Sequence, residues 1–166
     1  MDPIVIKNTF LNAYEDYADA IFRHCYFRLS DRERAKELMQ ETFVKAWDYL
    51  AKGEKIDNLR ALLYRIATNL VIDDMRKRKE YSLDALQEKG FNPGISEDEE
   101  LHIKIESDKA KEMIEKLPEK YRQVVTMRYI DELSPKEIAQ ITKETENSVS
   151  VKINRGLAKL RNLLKV

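Results

Sequence analysis

Apolar residues recur along the first half of this chain with the period of a helix. Phe10, Tyr14, Tyr17, Ala18, Ile21, Phe22 and Cys25 stand three or four residues apart, the spacing of one helical face. Ser30 follows as an expected N-cap, with Glu33 three residues later completing a capping box. A second stripe, Ala35, Leu38, Met39, Thr42, Phe43, Ala46, Trp47 and Leu50, predicts the next helix, closed by Gly53. After the polar loop Lys52–Asp57, Asn58 is placed to cap a third helix, with Leu59, Leu62, Leu63, Ile66, Ala67 and Leu70 facing inward. No stretch alternates convincingly with the period of two that a half-buried strand requires.

The pattern then breaks. Residues 81–107, which include "KGFNPGISEDEE", combine turn-forming residues with an acidic run and read as a solvated linker. Helical periodicity resumes beyond it. Leu117-Pro118 opens a helix that continues through Tyr121, Val124, Val125 and Arg128-Tyr129. Ser134-Pro135-x-Glu137 is a second capping box. Val149, Ile153, Leu157, Leu160 and Leu164 then form the stripe of a last helix. The expected fold is all-α, with two small helical domains at 1–80 and 108–166 joined by a flexible acidic linker at 81–107.

Charge sharpens this division. The chain of 166 residues has a formal net charge of zero, but its parts do not: +1 over 1–80, −5 over 81–107 and +4 over 108–166. A zero sum therefore does not exclude a nucleic-acid partner, because distribution matters more than total. Other classes fare worse. The longest apolar runs are too short to span a bilayer and no apolar segment follows the start, so neither membrane anchor nor signal peptide is expected. Cys25 is the single cysteine, and no Cys/His spacing suits a metal or another cofactor. His24 reads as a helix-surface residue. There is no nucleophile–base pair and no phosphate-binding glycine loop, which disfavours an enzyme or a small-molecule ligand site. The cytoplasm is the expected compartment.

Three surfaces could carry function. "SPKEIAQITKETENSVSVKINRG" reads as a helix-turn-helix whose second helix presents Ser148, Ser150, Val151, Lys152, Asn154 and Arg155. In a major groove Arg suits guanine, Asn suits adenine and an apolar side chain meets the thymine methyl, while Lys152, Lys159 and Arg161 suit phosphates. The join Lys143-Glu144-Thr145 lacks glycine, so a left-handed lysine would cost roughly 1 kcal/mol unless another geometry were chosen; a turn less rigid than usual is expected. The third helix leaves Arg60, Tyr64, Arg65, Thr68, Asn69, Asp73, Arg76 and Lys77 outward and ends in Arg76-Lys77-Arg78-Lys79. That run suits the helix dipole or tracks phosphates, with Tyr64 available to bases. On the second helix Glu37, Gln40, Glu41, Val44 and Asp48 share one face, suited to a basic partner helix or simply to solvent.

Taken in order, these segments resemble the bacterial extracytoplasmic-function sigma factors. "DRERAKELMQETFVKAW" is similar to the family's core-polymerase-binding helix, and "LLYRIATNLVIDDMRKR" to the segment that engages the promoter minus-ten element. "LPEKYRQVVTMRYIDELSPKEIA" with "SVSVKINRGLAKL" resembles the lobe reading the minus-thirty-five element. The resemblance implies a sigma region 2-like bundle, a region 4-like helix-turn-helix domain and a non-catalytic initiation factor. Its partners would be core RNA polymerase, through the beta-prime and beta subunits, promoter DNA and an anti-sigma factor. It implies polymerase docking by Glu37, Gln40, Glu41 and Val44. Arg60, Tyr64, Arg65, Asn69, Arg76 and Lys77 would serve the minus-ten side. Ser148, Ser150, Val151, Lys152, Asn154, Arg155 and Lys159 would serve the minus-thirty-five side. The chain departs from the family at Leu62, where Trp is frequent, at Asp74, where an aromatic is frequent, at Ser150, where a basic residue is usual, and at Lys143-Glu144, which replace a Gly-apolar pair. The alternative is a stand-alone helix-turn-helix regulator acting as a dimer on a palindrome.

Overall fold

A computed structural model of the protein describes residues 2–85 and 109–165. The described residues are helical with short connections, and they form two compact units. One is built on α1 (Pro3–Leu29), α2 (Arg32–Ala51) and α3 (Leu59–Ala85). The other is built on a helical stretch at 109–115, α4 (Glu119–Tyr129) and α6 (Glu146–Leu164), the last two connected through α5 (Pro135–Thr142). Helix α3 runs past the boundary expected at 80; the remainder of the expected linker, 86–107, lies outside the described residues.

In the first unit α1 packs on α2, with Ile21, Cys25 and Leu29 of α1 and Ala35, Leu38, Phe43 and Ala46 of α2 buried. Burying a side chain of Leu or Ile size stabilises by about 1.5–3 kcal/mol, so these stripes dominate the unit's stability. Phe10 stands edge-on to Trp47 at 5.2 Å and Tyr14 edge-on to Phe43 at 4.9 Å, which closes the margin of the core. The two-residue corner between α1 and α2, Ser30-Asp31, differs from expectation. Ser30 is the C-cap of α1, in left-handed backbone at φ 55°, and donates its N–H to the Tyr26 carbonyl at 2.8 Å. A residue reversing the chain in this way cannot also take the extended N-cap conformation. The cap falls to Asp31, at φ −133°, whose carboxylate accepts from the Arg34 N–H at 3.1 Å. Asn58 caps α3 as expected, accepting from the Ala61 N–H at 3.0 Å.

In the second unit Leu117, Tyr121, Val124, Val125, Met127, Leu133, Ile138, Val149 and Ile153 are buried. Pro118 stands at the N-cap of α4 rather than inside it, and its carbonyl accepts from the N–H groups of Tyr121 and Arg122. The Ser134–Glu137 capping box forms in both directions, at 3.1 and 3.2 Å. The apolar stripe of α6 is buried only near its start. Val149 and Ile153 are enclosed, Leu157 and Leu160 are half-buried, and Leu164 is exposed.

Gly156 does what the outer leucines do not: it lets α4 and α6 approach. A Cβ there would stand 2.7 Å from Val125 Cγ2 and 3.3 Å from Tyr121 Cβ. Gly156→Ala should therefore lower the stability of this unit by roughly 1–2 kcal/mol, because overpacking outweighs the helix-propensity gain of about 1 kcal/mol. Urea unfolding followed by circular dichroism measures this; a stabilised variant would show the contact to be slack.

Candidate functional site

The helix-turn-helix is built as its capping residues dictate. Glu144 N–H reaches the Ala139 carbonyl at 3.1 Å to end α5, and Lys143 takes the left-handed conformation at φ 59° despite its side chain. Thr145 caps α6 and accepts from the Ser148 N–H at 3.1 Å. The turn is better tied than its composition implies. The Glu144 carboxylate accepts from the Ser148 hydroxyl at 3.1 Å and forms an ion pair with Lys152.

Packing α6 by Val149, Ile153 and Gly156 leaves Asn147, Val151, Asn154 and Arg155 exposed, with Ser148, Ser150 and Lys152 half-buried at the flank. Asn147 was passed over in the sequence, although it shares the four- and three-residue spacing of Val151 and Asn154. Lys159 is exposed, with its ammonium 5.7 Å from the Tyr121 ring centre. Burial pushes the Tyr121 hydroxyl up, yet Lys120 and Arg155 beside it bring it below the ordinary tyrosine value. Arg155 is thus steadied against α4 while remaining open to solvent.

The outer face of α3 is rearranged relative to expectation. Tyr64, expected to face bases, is 2 % exposed. His24, expected on the surface, is 1 % exposed and meets the Tyr64 ring edge-on at 5.2 Å. Thr68 is also buried, with its hydroxyl 3.4 Å from His24 Nε2. Leu63, Ile66 and Ala67 face inward as expected, but the buried side also takes in Tyr64, Thr68, Val71 and Asp74, which leaves Leu59, Leu62 and Leu70 half-buried. Tyr and Thr do not read as apolar, so periodicity alone placed Tyr64 and Thr68 outward. The guanidinium of Arg60 lies 5.6 Å from the Tyr64 ring centre.

The face that remains open carries Asn69, Ile72, Met75, Arg76 and Lys77, with Arg60 and Arg65 half-buried. Ile72 and Met75 were absent from the sequence reading of this surface. Arg76 and Lys77 both pair with Asp73, the latter at 3.2 Å. The Lys77 hydrogen bond, aided by the Arg76 charge, holds the Asp73 carboxyl below its ordinary value although desolvation opposes it. These pairs are on the surface, where water screens them, and a phosphate can replace Asp73 at small cost.

On α2, Glu37, Gln40, Glu41, Val44 and Asp48 are exposed as expected, and Val44 is 61 % exposed. This face is coupled to α3 through one arginine. Arg34 Nε donates to Asp74 at 2.5 Å and its Nη1 donates to Glu37 at 2.7 Å. The Asp74 hydrogen bond, then that of Glu37, raises the guanidinium above its ordinary value, so it stays charged. Asp74 is buried; in this chain a salt-bridged carboxylate occupies what the sequence marked as a departure.

Comparison with known proteins shows the family of the chain. The description "Sigma-70 region 2" matches residues 13–81 and "Sigma-70, region 4" matches residues 107–160. Over 172 aligned residues the chain is 34 % identical to "ECF RNA polymerase sigma factor SigW" of Bacillus subtilis (strain 168), covering 96 % of this chain and 90 % of that one. The chain belongs to the ECF RNA polymerase sigma factors. It is also 24 % identical to "RNA polymerase sigma factor SigV" of the same organism, covering 93 % of this chain and 90 % of that one. Two solved structures share the fold of this sigma factor, each at 22 % identity. CnrH, solved in complex with the cytosolic domain of CnrY, has a TM-score of 0.72 and covers 96 % of this chain and 89 % of its own. The sigma factor RpoE of Bartonella quintana, solved with the anti-sigma factor NepR, has a TM-score of 0.70 and covers 95 % and 98 %. A sigma factor directs transcription by core RNA polymerase and is not itself an enzyme. Among the described residues no His, Cys, Asp and Glu cluster could hold a metal ion, and no helix is long and apolar enough to cross a membrane.

Two stability predictions separate core from surface in this sigma factor. Tyr64→Ala should cost about 3–5 kcal/mol of unfolding free energy, as for a buried aromatic, whereas Ile72→Ala should stay within about 0.5 kcal/mol. Equal small effects in urea titrations would return Tyr64 to the surface. Arg34→Met should cost on the order of 2 kcal/mol, less than a fully buried pair because Arg34 is one-third exposed, and Asp74→Leu added to it should recover most of that loss. A double variant no better than Arg34→Met would contradict the pairing.

Proposed function

We propose that this sigma factor carries two promoter-reading surfaces on core RNA polymerase and docks there through the outer face of α2. Glu37, Gln40, Glu41 and Val44 meet basic helices of the beta-prime subunit, while the second unit is held near the beta subunit. Asn69, Arg76 and Lys77, with Arg60 and Arg65 at their flank, track the opened strand at the minus-ten element. Single-strand capture suits such polar and basic contacts. On α6, Ser150, Val151, Asn154 and Arg155 face bases of the minus-thirty-five element from the major groove, and Lys159 takes a phosphate. Domains at 1–80 and 108–166 are joined by the acidic segment 81–107. The factor works in the cytoplasm with the polymerase, under the control of an anti-sigma factor.

The observation that carries the reading is Val44, largely exposed and set among acidic side chains. A stand-alone DNA regulator has no use for such a face, which repels phosphates. A docking site has, because a partly apolar contact ringed by charge combines burial with orientation. Tethering both units to polymerase also raises their effective concentration on DNA, so each is free to bind weakly alone.

Glu41→Arg should weaken co-purification with core polymerase at least about tenfold, the equivalent of about 1.4 kcal/mol, while the melting curve stays that of the parent. Undiminished docking would make the acidic face ordinary surface.

A further inference from the structure

Glu144 stands where the family's helix-turn-helix turn has an apolar residue, and it does more than end α5. Its backbone is held by the Ala139 carbonyl, and Lys143 before it is in left-handed backbone, so its Cα position is set by the turn. From there the carboxylate reaches over the first turns of α6, where the helix dipole favours an anion. It accepts from the Ser148 hydroxyl at 3.1 Å and pairs with Lys152, two residues whose side chains were expected to meet DNA. The side chains of Glu144 and Lys152 are 24 % and 29 % exposed, so this pair is better shielded than the Asp73 pairs on α3.

We propose that Glu144 is a specificity-determining positioning residue, which holds Lys152 away from the phosphate backbone and fixes Ser148 so that α6 selects DNA through Asn147, Val151, Asn154 and Arg155. This rests on the reading that α6 faces the upstream promoter element. The physical effect is a trade. A free lysine adds affinity for any duplex, since each phosphate contact steepens the dependence of log K on log salt by about 0.9. A lysine tied to Glu144 adds none, and discrimination is left to groups that touch base edges. The carboxylate also places negative charge beside the groove, so a misplaced α6 binds less well. Glu144 thus offsets the lost glycine: the turn is anchored through its side chain instead of being shaped by backbone freedom.

The test uses core RNA polymerase loaded with the full chain and a promoter fragment selected by that holoenzyme from sheared genomic DNA, with the upstream element intact or scrambled. Glu144→Gln keeps the acceptor for Ser148 but removes the ion pair. It should steepen the salt dependence by about one and raise binding to the scrambled fragment about threefold at 50 mM relative to 200 mM salt. Lys152→Met alone should leave the parent's salt slope unchanged, and Glu144→Gln should have no effect on slope in that background. A slope reduced by about one in Lys152→Met, or a Glu144→Gln effect that persists without Lys152, overturns the proposal. Arg155→Ala separates this from failure of the underlying reading. If it lowers discrimination while Glu144→Gln leaves the slope unchanged, only the Glu144 proposal falls. If neither Arg155→Ala nor Lys152→Met alters binding or discrimination, α6 does not read the upstream element and both fall.

Discussion

A helix can bury one stripe and must leave the opposite one to solvent, and every candidate face of this protein is the remainder of that division. Burying Leu38, Phe43 and Ala46 of α2 turns Glu37, Glu41 and Val44 outward. Burying Tyr64, Ala67 and Val71 of α3 leaves Asn69, Ile72 and Arg76 exposed. Burying Val149, Ile153 and Gly156 of α6 opens Asn147, Val151, Asn154 and Arg155. Since rotation of one helix by a single position would exchange inner and outer residues, the packing energetics of the core and the identity of the interfaces are one problem.

Polar anchors refine what apolar packing alone would leave adjustable. Arg34 links buried Asp74 on α3 with exposed Glu37 on α2, so the exposed acidic face of α2 is tied to a charge inside the unit. Such a pair adds little net stability over apolar residues of equal size, but it is costly to break from one side. Glu144 plays the corresponding part beside α6, where a carboxylate takes over the work of turn backbone. At both places the chain departs from its family's usual residues, and at both the departure is an acid with a basic partner.

Much of the fold was legible because it rests on periodicity and capping. The α1 and α2 stripes, Asn58 at the start of α3, the Ser134–Glu137 box and Thr145 all declare themselves through residue type and spacing. What was not legible depends on contacts between helices. Tyr64 and His24 look like surface groups until α1 and α3 are brought together. Ser30 and Asp31 are both good caps, and only the tightness of the corner assigns one to each helix. Gly156 reads as a weak point in α6 until Val125 is seen against it. Residues 37–48 and 148–155 were therefore found as faces, whereas on α3 Leu63, Ile66 and Ala67 were placed inward but Tyr64 and Thr68 were not.

Family membership and these faces converge on a single account, in which two weakly binding promoter readers become selective when polymerase carries both. The most direct measurement is run-off transcription by core RNA polymerase on genomic fragments, with start sites mapped in the presence and absence of this chain. The account predicts discrete new starts that need both the chain and the polymerase, preceded by common minus-ten and minus-thirty-five sequences. A chain that binds those fragments as a dimer without polymerase, and leaves the pattern of starts unchanged when polymerase is added, would contradict it.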